Sequence, residues 1–197
     1  MTPPPPPTPA EQARAALAGL GALASRMADR HAGDIARLAG LYGDTLRGGG
    51  TLWFAGNGGS AADAQHVAAE YVIRYGEHRR ALPAVALTTD TSLLTACGND
   101  LGFETIFARQ VEALVRPGDL LVLHSTSGES ANVARAAQAA RAKGARVVAL
   151  LGKGGGALRR LVDDSLVIPS DETSHIQELH LAIEHVICGI VEAQLST

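Results

Sequence analysis

From Leu52 onward, short apolar runs alternate with amphipathic segments, and this alternation constrains the fold more than any other feature of the chain. Apolar runs at residues 52–55, 84–87, 120–123, 147–151 and 166–168 are predicted strands. Helical spacing covers 61–75, 103–115 and 132–143, a short helix precedes the fifth strand, and a long helix over 174–195 closes the chain. Strands apolar on both faces and separated by helices fit a parallel sheet covered on both sides. Ligands of such folds bind outside the carboxyl ends of the strands, so the loops after the strands are where chemistry is expected.

Ahead of this unit, residues 10–47 are rich in Ala, Leu and Arg, with apolar residues at helical spacing (Leu17, Leu20, Leu23, Met27). Gly33-Asp34 is predicted to divide this stretch into two helices, and Gly48-Gly49-Gly50 to end the second. The first nine residues, with Pro3 to Pro7 and Pro9, are expected to form a stiff, disordered tail. Residues 10–197 then make one domain, with no internal repeat.

Only 4% of the residues are aromatic against 46% hydrophobic, so the core must be aliphatic and Ala-rich. Stacking platforms for single-stranded nucleic acid are correspondingly scarce. The net charge is −3 and no long basic run occurs, which argues against a nucleic-acid partner. An anionic ligand would have to be held by backbone amides and hydroxyls. Cys97 and Cys188 form no spacing motif and are expected as small buried residues. No apolar run approaches the ~20 residues needed to cross a membrane, and no secretory leader pattern is present, so a cytoplasmic protein is expected.

Two loops could hold an anion. The first, Gly56-Asn57-Gly58-Gly59-Ser60, joins a predicted strand to a predicted helix, where glycines admit close approach and the helix N-terminus favours negative charge. With Ala61 it also fits the dinucleotide pattern G-x-G-x-x-[G/A], which demands an acidic residue about 20 positions on. The nearest at a strand end is Asp90, 90 − 56 = 34 positions after Gly56, so no nucleotide cofactor is expected. The second loop, Ser125-Thr126-Ser127-Gly128-Glu129-Ser130, offers four hydroxyls in six residues. These could equally be ordinary turn and cap residues. Glu129 should point away from any phosphate. A Walker loop is excluded because Gly152-Lys153 is followed by Gly154.

His66 and Glu70, at i and i+4, share a helix face as metal ligands, as an acid–base pair, or as an exposed pair with no role. On the closing helix, Gln177, His180 and Glu184 lie on one stripe bordered by His185, for which a solvated polar face is the plain reading. The same helix carries an apolar seam (Ile176, Leu179, Ile183, Val186, Ile190) suited to core packing or to a subunit interface.

In this order, Gly56-Asn57-Gly58-Gly59-Ser60, His66, Glu70, Gly98-Asn99-Asp100, Ser125-Thr126-Ser127-Gly128, Gln177 and His185 resemble the phosphoheptose isomerases of the sugar-isomerase (SIS) domain superfamily. The resemblance runs from about Asp34 to the C-terminus. It implies a three-layer, flavodoxin-like α/β fold with a central parallel sheet flanked by helices, plus N-terminal helices. It further implies a homotetramer with active sites between subunits. The implied reaction converts D-sedoheptulose 7-phosphate to D-glycero-D-manno-heptose 7-phosphate through an enediol.

Carried over by position, Ser60, Ser125, Thr126, Ser127 and Ser130 would hold the phosphate, with Gly58 and Gly59 in the same cradle. Asn57, Arg74, Asn99, Asp100 and Gln177 would contact the sugar. Glu70 and His185 match the family's catalytic pair, and some members bind zinc through residues matching His66, Glu70, Gln177 and His185. Gln177 and His185 are eight residues apart, about 12 Å along a helix, so they meet at one metal only by leaning together or across subunits. The chain departs from the family at His124, where an apolar or small residue is common, and at Ser174, acidic in some members. A non-enzymatic adaptor of the DnaA-associating type shares the fold and much of the first loop but lacks counterparts of Glu70 and His185. A glutamine-dependent aminotransferase would need a further domain.

Overall fold

The computed structural model describes residues 6–195; the first five residues of the expected tail and the last two of the chain lie outside them. Five strands form one parallel sheet in the order β2-β1-β3-β4-β5. They are β1 (Leu52–Gly56), β2 (Ala84–Ala86), β3 (Leu120–Ser125), β4 (Arg146–Leu151) and β5 (Asp164–Val167). β1 and β3 are buried along their whole length, as continuous apolar runs require.

Side chains alternate between two cores. Leu52, Phe54, Leu120, Val122, Val148 and Leu150 face a layer built from α1 (Pro9–Arg47), α2 (Gly59–Val72) and α6 (Thr173–Leu195). Trp53, Ala55, Leu121, Leu123, Val147 and Ala149 face α3 (Thr91–Asp100), α4 (Ala108–Leu114) and α5 (Ala131–Ala142). The result is the expected three-layer, flavodoxin-like arrangement. Ala136, Ala137 and Ala140 are fully buried, so small side chains let α5 lie close on the sheet. Cys97 and Cys188 are free and buried, as expected.

Helix α1 corrects one expectation, because it runs unbroken through Gly33-Asp34. Asp34 bonds back to His31 and forward to Arg37, each at 3.0 Å, stapling the helix where a break was predicted. Burial of Met27, Ile35, Leu38 and Tyr42 outweighs the ~1 kcal/mol that a helical glycine costs. The helix also starts at Pro9, one residue inside the expected tail, with Thr8 and Glu11 forming a capping box. Leu23 and Met27 are buried as their spacing requires, whereas Leu17 is 72% exposed.

Helix α3 has no counterpart among the predicted elements. The Asp90 carboxylate accepts from Leu93 N at 2.9 Å and caps it. The stretch predicted as one helix over 103–115 is a 3-10 turn at Phe103–Thr105 followed by α4. The short helix expected before β5 is likewise a pair of 3-10 turns.

The polar stripe of α6 is the largest departure. His180 and Glu184 are fully buried and face the sheet, so the stripe is not a solvated face. His180 donates from Nε2 to the Leu151 carbonyl at 3.2 Å. Burial, reinforced by the nearby His124 ring, pushes its pKa down from 6.5 to about 3. The folded state therefore holds His180 neutral while the unfolded chain takes up a proton near pH 6.5. Its contribution to stability is complete above pH 6.5 and declines as the pH falls toward 3, by up to about 1.4 kcal/mol per pH unit. Asp63, raised by burial, works in the opposite direction. Urea midpoints from pH 7 to 4.5 should thus fall more steeply for the native chain than for His180→Gln; equal slopes would contradict the assignment.

Candidate active site

The strand order changes direction between β1 and β3, and both candidate loops leave the sheet at that switch point. Gly58, at φ 57° and ψ −121°, turns the chain from β1 into α2, whose N-terminus carries no side-chain cap. In the second loop, Ser125 Oγ accepts from Gly128 N at 3.0 Å and Ser127 Oγ accepts from Glu129 N at 3.2 Å. Gly128 has φ 68°, and a Cβ there would fall 2.1 Å from the Gly155 carbonyl oxygen, so the turn tolerates only glycine. The side chains of Ser60, Thr126 and Ser130 make no hydrogen bond among the described residues, and Ser130 begins α5 without using its hydroxyl as a cap.

Two helix N-termini thus open at the switch point, with the hydroxyls of Ser60, Thr126 and Ser130 uncommitted, features that suit a phosphate. Glu129 turns away, as expected: its Oε1 accepts from Ala157 N at 2.9 Å. Asn57 and Asn132 exchange two amide hydrogen bonds of 2.8 Å and so lock the first loop to the first turn of α5. The sequence reading missed Asn132; an amide side chain at the start of the helix, two positions past the second loop, was the available signal, and only the structure shows that it is buried.

A second cluster lies farther along α2. His66 and Glu70 of that helix meet His185 of α6, with donor atoms all within 4.8 Å of one another. His66 Nε2 is 2.8 Å from His185 Nε2 and 3.4 Å from Glu70 Oε1. The packing of α2 against α6 brings His185, a third residue of metal-ligating type, to His66 and Glu70. Tyr75, just past α2, lays its ring on His185 with centroids 5.6 Å apart and planes inclined by 27°.

Gln177 does not complete this cluster. Its amide rests on Gly59, where a Cβ would fall 2.1 Å from Gln177 Nε2. That places it about 10 Å before His66 along α2. Three of the four expected metal ligands therefore converge within one subunit, and the fourth serves the first loop.

Arg74, Asn99 and Asp100 stand apart. Arg74 reaches only the Gly76 carbonyl, and Asn99 donates to Asp100 at the exposed end of α3. No hydrogen bond or ion pair among the described residues ties them to either loop. Ser174, the other departure from the family pattern, donates to Glu172 at 3.3 Å.

Beneath the site, His124 Nε2 lies 2.9 Å from Glu184 Oε1, which also accepts from Tyr42 Oη at 2.9 Å. Burial first, and then the Glu184 carboxylate, raise the Tyr42 hydroxyl well above its usual pKa, so it remains a donor. His124 immediately precedes Ser125 and Glu184 immediately precedes His185, so the bond ties the end of β3 to the helix turn beside the second cluster.

Residues 17–152 match the SIS domain family. The chain is 57% identical over 164 residues to the phosphoheptose isomerase of Geobacter sulfurreducens, covering 83% of this chain and 87% of that protein. The phosphoheptose isomerase GmhA of Neisseria gonorrhoeae superposes with a TM-score of 0.88 at 40% identity, covering 94% of this chain and all of that one. That of Francisella tularensis superposes with a TM-score of 0.92 at 35% identity, covering 95% of this chain and all of that one.

Proposed function

The chain belongs to the phosphoheptose isomerase family of SIS-domain proteins, and from that premise we propose that it converts D-sedoheptulose 7-phosphate to D-glycero-D-manno-heptose 7-phosphate. At the coarser level it is a sugar-phosphate isomerase of heptose biosynthesis. The observation that carries the finer reading is the spacing of the two clusters. Along α2, His66 lies about 10 Å and Glu70 about 16 Å beyond Gly59, and the Glu70 side chain reaches back to within 3.4 Å of His66 Nε2. An open chain of seven carbons with a terminal phosphate spans a similar length, roughly 9 Å from zigzag C–C bonds of ~1.5 Å. A phosphate seated on Ser60, Ser125, Thr126, Ser127 and Ser130 would therefore deliver C1 and C2 to Glu70 and His185.

The isomerisation moves a proton between C1 and C2 through an enediol. In our reading Glu70 exchanges the carbon-bound proton while His185 trades protons with the two oxygens, each worth roughly 10²–10⁴-fold in rate. Anchoring the phosphate converts binding energy into alignment at the far end of the sugar. Asn57 reaches the sugar from the first loop and Gln177 from α6 beside it, with Gly58 and Gly59 admitting it to the backbone.

His66, Glu70 and His185 also suit zinc. Two imidazoles and a carboxylate are its ordinary ligands, and their 2.8 and 3.4 Å separations are close to the ~3.3 Å between ligands of a tetrahedral site. A bound zinc ion would supply Lewis-acid polarisation of the substrate carbonyl. Gln177 would join only after moving from Gly59.

We further read the working form as a cytoplasmic homotetramer. The reading is supported by Arg74, Asn99 and Asp100, which lack partners from the site in their own subunit. It is also supported by an apolar groove between α1 and α6, lined by Met27, Ile35, Ile183, Val186 and Ile190. The buried end of the α6 seam (Ile176, Leu179) packs inward, whereas Val186 is 51% exposed. No helix among the described residues is long and apolar enough to cross a membrane.

The test is incubation of the purified protein with sedoheptulose 7-phosphate, with and without zinc. Aldoheptose 7-phosphate is the expected product. Its absence in both arms would overturn the reading and favour the non-enzymatic adaptor.

A further inference from the structure

Between α2 and β2 the chain passes through residues 73–80, a segment without regular structure that is nonetheless held tightly. Glu192 of α6 accepts from Tyr75 N at 3.2 Å, Gly76 N at 2.7 Å, Glu77 N at 2.9 Å and Arg79 Nε at 2.8 Å. Burial raises the Glu192 carboxyl, but these three backbone donors and the Arg79 charge outweigh it and hold the group ionised. The two side chains are only 5% and 6% exposed. Arg79 has further work: Nη2 donates to the Glu70 carbonyl at 2.7 Å, and Nη1 to the Tyr71 carbonyl at 2.8 Å and the Arg80 carbonyl at 3.0 Å. One guanidinium thus satisfies carbonyls of the last turn of α2, the turn that carries Glu70.

The product of this clamp is the placement of Tyr75. Its ring is 43% exposed, so core packing does not account for it. It lies on the His185 imidazole and over Gly189, one turn on, where a Cβ would come within 3.4 Å of Tyr75 Cε1. The His66 ring closes the His185 imidazole edge-on, with centroids 5.0 Å apart. His185 is therefore confined between two rings with its Nε2 directed at His66 and Glu70.

We propose that Tyr75 is a positioning residue for His185, and that the Arg79–Glu192 pair holds both Tyr75 and the Glu70 turn in register. The inference rests on the reading that Glu70 and His185 move the protons. A ring stack of this kind adds little affinity for substrate; it limits the orientations of the imidazole, and loss of alignment costs turnover instead.

The experiment compares native protein with Tyr75→Ala, Tyr75→Phe and Glu192→Gln for kcat, KM, thermal midpoint and the ¹⁵N signals of the His185 imidazole in metal-free protein. Tyr75→Ala should lower kcat about 10- to 100-fold, with KM within about two-fold and an unchanged thermal midpoint. Tyr75→Phe should restore kcat to within about two-fold, because the stacked face is kept. The His185 signals should shift and average in Tyr75→Ala. Glu192→Gln should show the same kcat loss by freeing the segment, even where its midpoint also drops. Native kcat in Tyr75→Ala, or a loss in which KM and midpoint move in proportion, overturns the proposal. If the native protein does not isomerise the ketose, the functional reading fails by itself. The His185 signals still decide the positioning role: unchanged in Tyr75→Ala, they refute it.

Discussion

Glu70→Gln should reduce kcat by about 10²–10⁴-fold while leaving KM for the sugar phosphate nearly unchanged. Gln has the shape of Glu and can keep its place beside His66, whose Nε2 lies 3.4 Å from Glu70 Oε1, so the cluster geometry survives the change. What it lacks is basicity, the property needed to take a proton from carbon. The side chain is 20% exposed, and the Arg79 clamp holds the Glu70 backbone carbonyl rather than its carboxylate, so the fold has little reason to respond. In the proposed reading the phosphate is held by loops about 16 Å from the Glu70 backbone along α2, which explains the split between kcat and KM. The more specific readout is isotopic. In deuterated water the native enzyme should wash solvent deuterium into C1 or C2 of the sugar, and Glu70→Gln should not. Residual exchange at the native rate would mean that another group is the base.

The same site shows where sequence reasoning stops. Strands were legible because β1, β3 and β4 are buried on both faces, leaving continuous apolar runs with no competing periodicity. The two loops were legible because an anion site at a strand-to-helix turn needs glycines and hydroxyls that are local in sequence. Helix α3 was not, since Cys97 is its only buried residue and it therefore lacks an amphipathic stripe. The unbroken course of α1 through Gly33 depends on packing against α6, a contact remote in sequence. The α6 stripe of Gln177, His180 and Glu184 was read as solvated because polar residues at helical spacing usually are. Only the third dimension shows that Tyr42 and His124 wait opposite Glu184. His185 itself became informative for the same reason: nothing local brings it to His66, whereas the packing of α2 on α6 does.

That buried contact gives the second large effect, this time on stability. His124 and Glu184 side chains are both 0% exposed and 2.9 Å apart, and Tyr42 donates to the same Glu184 oxygen. Removing one member strands the others in a dry core, so His124→Leu and Glu184→Leu should each cost about 3–5 kcal/mol, a drop on the order of 10 °C in Tm for a chain of this size. The cost arises from orphaned polar groups rather than from the worth of the pair, and the two mechanisms predict different behaviour on combination. If orphaning dominates, the His124→Leu/Glu184→Leu/Tyr42→Phe triple variant should recover much of the loss, because no polar partner is left behind and the volume is largely retained. Additive losses across the series would instead show that each side chain contributes packing of its own. The chain carries this network between the residue before Ser125 and the residue before His185, at the seam of the second loop and the His66–Glu70–His185 cluster. A network that was costly to bury and easy to replace by apolar residues would then be retained for register there, and the triple variant should be stable but slow. Recovery of stability together with native kcat would remove that role and leave the network a plain element of the core.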